Sequence, residues 1–407
     1  MGQTSYRVYP YRWVILVAFM LVNLTIQILW ICFAPIAGPA AKFYGASDLQ
    51  IGLLAMSFMI VYVPLSIPVS WMIDTWGYRK SVSLGVVILG VFGILRAVSG
   101  SNYTWAMVST IGIAVSQPFL LNSVTTVAAR WFPIEERATI AGLALMATFI
   151  GIAIGQVVSP MLIVAYSIPV MMWIFGGANA VACAVFLAVT RDAPPTPPCP
   201  PEQASRALMI DGLKSMLRMK EIWFLLYIFL VGMGIFNGIS TWIAGILEPR
   251  GFTFQEAGDM GAILLLGGVI GAVILPTFSD KTHHRKPFIV SGLILSVPGL
   301  LGIAFVTGYW PMAASMFELG FFLVSLAAIG FQYGAEITFP APEGTSNGLL
   351  NLAGQVSVVF VYGMQLLKGS GSSYMLSLLI LAVLLVLGTV MMAGSRESAL
   401  MSQQAAD

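Results

Sequence analysis

Charge is what this sequence has least of. Only 9% of its 407 residues are Asp, Glu, Lys or Arg, against about 25% in an ordinary soluble domain, so the chain does not carry enough charge to clothe a water-facing surface of that size. A disordered chain is excluded as well, since 58% of the residues are hydrophobic. Cysteine is scarce: Cys32, Cys183 and Cys199 are too few and too scattered for a disulfide framework or a thiolate zinc site. The two histidines, His283 and His284, stand side by side in a basic loop, and no His/Cys/carboxylate spacing offers a metal site. A phosphate-cradling GxxxxGK[ST] loop is missing, which excludes direct drive by ATP. No long basic stretch supports nucleic acid as a partner, and no motif calls for a cofactor. The net charge of +2 decides nothing; the placement of the charges does.

What the chain has in quantity is apolar sequence. A membrane-spanning helix needs about 20 mostly apolar residues, and about twelve such stretches can be read, at 13–38, 50–73, 81–99, 103–128, 138–164, 168–190, 222–247, 256–278, 287–307, 310–339, 344–367 and 373–393. The longest polar interruption, 191–221, contains Pro194-Pro195-Thr196-Pro197-Pro198-Cys199-Pro200-Pro201, which cannot be helical. Behind it Leu208, Leu213, Met216 and Leu217 alternate with Lys214, Arg218 and Lys220, the pattern of an interfacial helix. The expected organisation is therefore a six-helix bundle over 1–190, a linker with an interfacial helix over 191–221, and a second six-helix bundle over 222–407. The N-terminal span is too long for a secretory signal and is expected to be retained.

With twelve spans and both termini on one side, that side collects fifteen Lys and Arg residues against four on the other. The positive-inside rule then places both termini in the cytoplasm. The short loops fit the economy of a prokaryotic inner-membrane protein. The expected partners are the lipid bilayer and a small-molecule substrate, and the expected state is a monomer.

The two halves echo each other. Asp74-Thr-Trp-Gly77-Tyr-Arg79-Lys80 follows the second span, and Asp280-Lys-Thr-His-His-Arg285-Lys286 follows the eighth, with the Asp and the basic pair repeating at an offset of 206 residues. Trp131-Phe132-Pro133-Ile-Glu135-Glu136-Arg137 after span four is matched by Phe339-Pro340-Ala-Pro342-Glu343 after span ten. Internal repeats of this kind build transporters from two bundles around a midplane site. The chain thus resembles the major facilitator superfamily, whose Asp…Gly…Arg-Arg/Lys loop is its most specific signature. The resemblance implies an all-α membrane fold of twelve transmembrane helices in two pseudo-symmetric bundles, working by alternating access. Asp74, Gly77, Arg79, Lys80, Arg137, Asp280, Arg285, Lys286, Glu336 and Glu343 would form conformational latches. Span five adds Gly151, Gly155 and Pro160, a small-residue face suited to close helix contact.

Within the superfamily several segments are similar to the feline leukaemia virus subgroup C receptor family. These are Phe43-Tyr44-Gly45, Tyr62-Val-Pro64-Leu, Pro68-Val-Ser-Trp71-Met-Ile-Asp74-Thr, Arg130-Trp131-Phe132 and the long run Glu336-Ile-Thr-Phe-Pro340-Ala-Pro-Glu343-Gly344-Thr345-Ser346-Asn-Gly348-Leu-Leu-Asn351. That family is associated with haem export and with uptake of choline and ethanolamine. The resemblance implies that Trp30, Gln117 and Gln355 face the cavity. The aromatic that helps cage a quaternary ammonium falls at Asn237, a departure that favours a different or smaller polar substrate.

Polar side chains inside a span are costly and mark interior faces. Asn23, Gln27 and Trp30 share one helical face, as do Asn351, Gln355 and Tyr362. Span seven offers Asn237, Ser240 and Thr241, and span ten aligns Glu318, Ser325, Gln332 and Glu336. Interhelical hydrogen bonding competes with substrate contact for each of these. An aromatic beside two amides, as at Trp30, suits a cation–π contact. Glu318 lies about 12 Å along its helix and is either wetted from the outer mouth or a carboxyl that neutralises an ammonium or carries a proton. Arg96 is expected to snorkel outward. A haem would want an axial ligand, and both histidines sit in a loop away from any cavity. The leading expectation is a secondary transporter or facilitator for a choline- or ethanolamine-like amine. Haem or porphyrin export, organic-anion transport and a non-transporting membrane receptor stand as alternatives, and an enzyme is not expected.

Overall fold

The structure is a computed structural model and describes residues 7–133, 136–196, 198, 216–282, 284–338, 343–368 and 373–397. It divides into two compact units, Met1–Ser205 and Arg206–Asp407. The first contains α1 (Tyr11–Ile31), α2 (Ala37–Tyr44), α3 (Asp48–Trp76), α4 (Tyr78–Val98), α5 (Tyr103–Leu121), α6 (Val124–Trp131), α7 (Arg137–Ala165) and α8 (Ile168–Val189). The second contains α9 (Lys220–Leu247), α10 (Phe254–Thr282), α11 (Lys286–Phe305), α12 (Tyr309–Ile337), α13 (Glu343–Val356), α14 (Val358–Lys368) and α15 (Met375–Ala393). Helix dominates because in lipid every backbone N–H and C=O must find its partner within the segment. Among the described residues, twelve helices are long and apolar enough to cross a membrane. The expected interfacial helix lies almost wholly outside the described residues, as do the Phe339-Pro340-Ala-Pro342 run, His283, Glu135 and the side chains of Asp74 and Glu343.

Small residues let the helices approach closely, as the glycines of span five suggest. A Cβ on Gly151 of α7 would run into the Leu24 carbonyl of α1, and one on Gly155 would meet the Ile31 side chain at 2.5 Å. In the second unit Gly320 of α12 seats in the same way on the Leu264 carbonyl of α10. Such contacts replace the hydrophobic drive that lipid cannot supply.

Several spans are interrupted. Residues 32–36 separate α1 from α2, Asn122 and Ser123 separate α5 from α6, and Ser357 separates α13 from α14. Helix α9 is kinked at Trp242, whose φ of −101° and ψ of 18° leave the helical region. Three of these four interruptions lie close to residues singled out from the sequence.

Candidate functional site

In the first unit α1 is held from two sides. Thr25 Oγ1 donates to Asn179 Oδ1 of α8 at 3.1 Å, and Asn179 Nδ2 donates to the Leu89 carbonyl of α4 at 3.1 Å. At about 100° per residue, Asn23, Gln27 and Trp30 lie roughly 140–200° around the helix from Thr25. Asn23 spends its Nδ2 on the Phe19 carbonyl one turn back (2.9 Å), and the Trp30 indole N–H donates to Ala55 of α3 (3.1 Å). Gln27 is buried and makes no hydrogen bond among the described residues. Gln117 of α5 is also buried, and its amide oxygen has no donor among the described residues. It directly precedes Pro118, whose missing N–H leaves the Ala114 carbonyl without a helical partner.

In the second unit the break at Ser357 is contacted by a polar residue of α9. Asn237 Nδ2 donates to Ser357 Oγ at 3.2 Å, so α9 is pinned to the interruption itself. Gln355 stands two residues before that break with a buried amide oxygen that no donor among the described residues reaches, and Thr241 Oγ1, one turn beyond Asn237, is in the same condition. Trp242 Nε1 donates to the Val361 carbonyl at 2.8 Å, tying the α9 kink to α14. Asn351 and Tyr362 are exposed on their helices. Interrupted helices at a membrane site free backbone groups and position side chains for a solute.

The polar face of α12 is placed differently from its counterparts. Ser325 is fully buried, bonds back to the Phe321 carbonyl and faces Gly271 of α10, while Glu336 is drawn to the start of α11. The opposite side of α12 meets α9, through Leu323 against Gly232 and Phe331 against Phe229, with ring centroids 4.7 Å apart. Glu318 is half-buried with no partner among the described residues, and Gln332 is exposed.

At one end of each unit the charged residues form networks. In the second, Arg285 is 3% exposed and bonds Glu336 Oε1 through Nε and Nη2, each at 3.0 Å. It also reaches Ser279 Oγ (3.1 Å) and the Asp280 carboxylate. Burial works against the guanidinium charge, but the hydrogen bonds to Asp280 and Glu336 outweigh it and hold the Arg285 pKa above its ordinary value. Glu336 Oε2 remains buried with no donor among the described residues. Glu397 caps the start of α11 by accepting from the Arg285 N–H at 3.0 Å and the Lys286 N–H at 3.2 Å, and Lys286 Nζ donates to the Ser395 carbonyl at 2.8 Å.

The first unit builds the counterpart. Asp192 accepts from the Arg79 N–H at 3.0 Å and pairs with Arg130 at 2.6 Å. Gly77 has φ +89°, and a Cβ there would lie 3.3 Å from Asp192 Oδ1, so both the turn and the approach of the carboxylate require glycine. The side chains of Arg79 and Lys80 are exposed. Arg137 donates to the Ala129 and Phe132 carbonyls at the end of α6, at 3.0 and 3.3 Å.

Asp192, Glu397, Arg130 and Ser357 carry this architecture and were not among the sequence candidates. One signal pointed to the first two: Arg191-Asp192 after span six recurs as Arg396-Glu397 after span twelve, at an offset of 205 residues. Arg130 and Glu336 are likewise 206 apart, with the sign of charge exchanged. Arg96 corrects an expectation outright. It does not snorkel outward but is 2% exposed, with Nη1 on the Leu29 carbonyl (2.7 Å), Nη2 near Cys32 Sγ (3.5 Å) and the Phe33 ring beneath it (5.4 Å). The last turn of α1 presents free carbonyls ahead of the 32–36 break, and a cation there is favoured by the helix dipole.

Two helical units, each with a charge network and a buried amide oxygen that has no donor among the described residues, are the architecture of a membrane transporter built from two bundles. The model of the Major Facilitator Superfamily matches residues 16–362, and the chain belongs to that superfamily. It resembles the choline/ethanolamine transporter FLVCR2 of Rattus norvegicus, 29% identical over 89% of this chain and 70% of that protein. The choline/ethanolamine transporter flvcr2a of Danio rerio is 29% identical over 96% and 87%, and solute carrier family 49 member A3 of the same fish is 31% identical over 86% and 77%. In fold the chain is similar to a bacterial homologue of the human lysosomal transporter Spinster, with a TM-score of 0.76 at 16% identity over 98% of both chains. The chain is a multi-pass integral membrane protein. These curated relatives come from animals, which gives no support to the prokaryotic inner membrane expected from the short loops.

Proposed function

We propose that the chain moves a small amino alcohol, of the ethanolamine or choline kind, across its membrane by alternating access, acting as a monomer with both termini in the cytoplasm. The observation that carries this reading is the set of buried acceptors without donors: the amide oxygens of Gln117 and Gln355 and Thr241 Oγ1. A buried acceptor without a donor costs about 1–3 kcal/mol, a cost relieved when a solute brings N–H or O–H groups. The Trp30 ring adds a π-face for a cation. Asn237, in place of a caging aromatic, favours a primary ammonium over a quaternary one, since an amide oxygen accepts N–H bonds that a trimethylammonium lacks. The Arg285–Glu336–Asp280 and Arg130–Asp192 networks are proposed as the latches that hold one state. The chain would translocate its solute chemically unchanged.

A thermal-shift screen of the detergent-purified protein tests this, with ethanolamine, choline, small organic acids and haemin as probes. Stabilisation by ethanolamine above choline, lost in Trp30→Ala and followed by ethanolamine uptake into liposomes, supports the reading. Stabilisation by an organic acid alone, or a Soret shift with haemin alone, overturns the substrate class and leaves the superfamily membership standing.

A further inference from the structure

Spans two and four of the first unit are fastened by one amide. Asn122 stands at the end of α5, where its N–H donates to the Pro118 carbonyl (3.0 Å) and the following Ser123 N–H tightens back to Leu120 (3.2 Å). Its Oδ1 accepts from Tyr62 Oη at 2.7 Å. Its Nδ2 donates to the Ser66 carbonyl at 3.0 Å and to Ser70 Oγ at 2.9 Å, with Ser66 Oγ at 3.4 Å.

The partners sit where α3 is weakest. Tyr62, Ser66 and Ser70 bracket Pro64 and Pro68, both inside the helix. Those prolines leave the Ile60 and Pro64 carbonyls without helical donors, which makes this stretch a natural bending point. One turn before Asn122, the Phe119 ring packs with Val69 and Ile73, and its Cβ would lie 2.6 Å from a Cβ on Gly85 of α4. Residues 119–123 are therefore bolted to 62–73 by an amide on one level and an aromatic ring on the next. Just before the bolt stands Gln117, followed by the Pro118 hinge. Just beyond 62–73 stand Gly77 and the start of α4, where Asp192 holds the Arg79 N–H.

We infer that Asn122 is a positioning residue that carries the engagement of Gln117 to the α3–α4 turn at Gly77, so that occupancy of the solute site and the charge network around Asp192 change together. The inference rests on the reading of Gln117 as a solute contact. Coupling of this kind needs an element with two arrangements that both sites bias. The interruption at 122–123 and the proline-weakened α3 supply it, and Asn122 keeps the two in register.

The test compares wild type, Asn122→Ala, Asn122→Asp and Tyr62→Phe as full chains, by amide hydrogen exchange with and without ethanolamine and by uptake into liposomes. In Asn122→Ala, ethanolamine binding should stay within about threefold of wild type while the maximal uptake rate falls about tenfold, as losing two to three net hydrogen bonds from the moving state implies. Exchange should rise at 62–80 together with 117–123, and the ethanolamine-dependent protection of 74–80 should vanish. Tyr62→Phe should cost about threefold in rate, and adding it to Asn122→Ala should cost nothing more. Wild-type maximal uptake in Asn122→Ala, or faster exchange confined to 117–123, overturns the inference. Should Asn122→Ala fail to fold, Asn122→Asp and Tyr62→Phe decide by the same criteria. Should wild type bind no ethanolamine, the substrate reading fails, while ligand-free exchange at 62–80 in the variants still decides the coupling.

Discussion

Gln117 and Gln355 keep buried amide oxygens without donors, and that makes stability and function separable at single residues. Replacing either by leucine removes an unsatisfied acceptor at similar volume, so folding should be unharmed or favoured by up to about 1–3 kcal/mol. Uptake should fall at least about tenfold, because a neutral polar contact to the solute is lost in the same step. The paired measurement is the unfolding midpoint in detergent and the uptake rate in liposomes. A lower midpoint with retained uptake would make these glutamines interhelical fasteners. Arg96 gives the opposite trade. Arg96→Leu leaves the Leu29 carbonyl, which its Nη1 now satisfies at 2.7 Å, with only the weak Cys32 thiol donor at 3.6 Å, and Trp30 is the next residue along. The expected result is a loss of about 1–3 kcal/mol in stability together with weaker solute binding. A raised midpoint would show that burying this guanidinium costs more than its bond to α1 returns.

Arg285 shows what elements add to residues, because it closes a contact among the end of α10, the start of α11 and the end of α12. Arg285→Met would leave the Glu336 carboxylate buried without its cation, at a cost of about 3–5 kcal/mol, whereas Arg285→Met with Glu336→Met should recover most of it. Chemical unfolding of the two single variants and the double measures that coupling directly, and additive losses would remove the pair from the latch. The membrane helices were legible in the sequence because a 20-residue apolar run leaves few alternatives, whereas the weak points at Pro64, Pro68 and Pro118 emerge only once the structure places those prolines inside helices. The interruptions at Ser357 and Trp242 were not legible, since neither residue type forbids a helix and their partners, Asn237 and the Val361 carbonyl, lie 119 or more residues away in the chain. The polar face of α12 illustrates the same limit. Periodicity places Glu318, Ser325, Gln332 and Glu336 on one side of a helix, but only tertiary structure shows that side turned toward α10 and α11.

Pseudo-symmetry is the property of the whole chain, and it was half visible. The Asp and the Arg-Lys pair of the two loops repeat at one offset, but Asp192 and Glu397 are not legible in the sequence because a lone carboxylate after a span has no signature until its helix-end partner is known. Both units use that carboxylate to satisfy N–H groups at the start of a helix, where the dipole favours an anion. The Arg130–Asp192 pair and the Arg285–Glu336 pair then solve one problem with the charges exchanged. In the first unit residues 9–12 share an end with this network, through Tyr9 to Thr196 (2.9 Å), Tyr11 to Val189 (2.7 Å) and Arg12 to Glu136 (3.0 Å). In the second, residues 395–397 do the same through Glu397 and through Tyr333, which donates to the Arg396 carbonyl at 2.6 Å. The location of each terminus would therefore fix the side of the membrane on which each proposed latch works. On the proposed orientation, which the bias of fifteen Lys and Arg to four supports, both would work on the cytoplasmic side. Protease-cleavable tags at the two ends should accordingly resist digestion in intact cells and be cut only after permeabilisation, with exposure of either tag on intact cells overturning the assignment for that unit's latch.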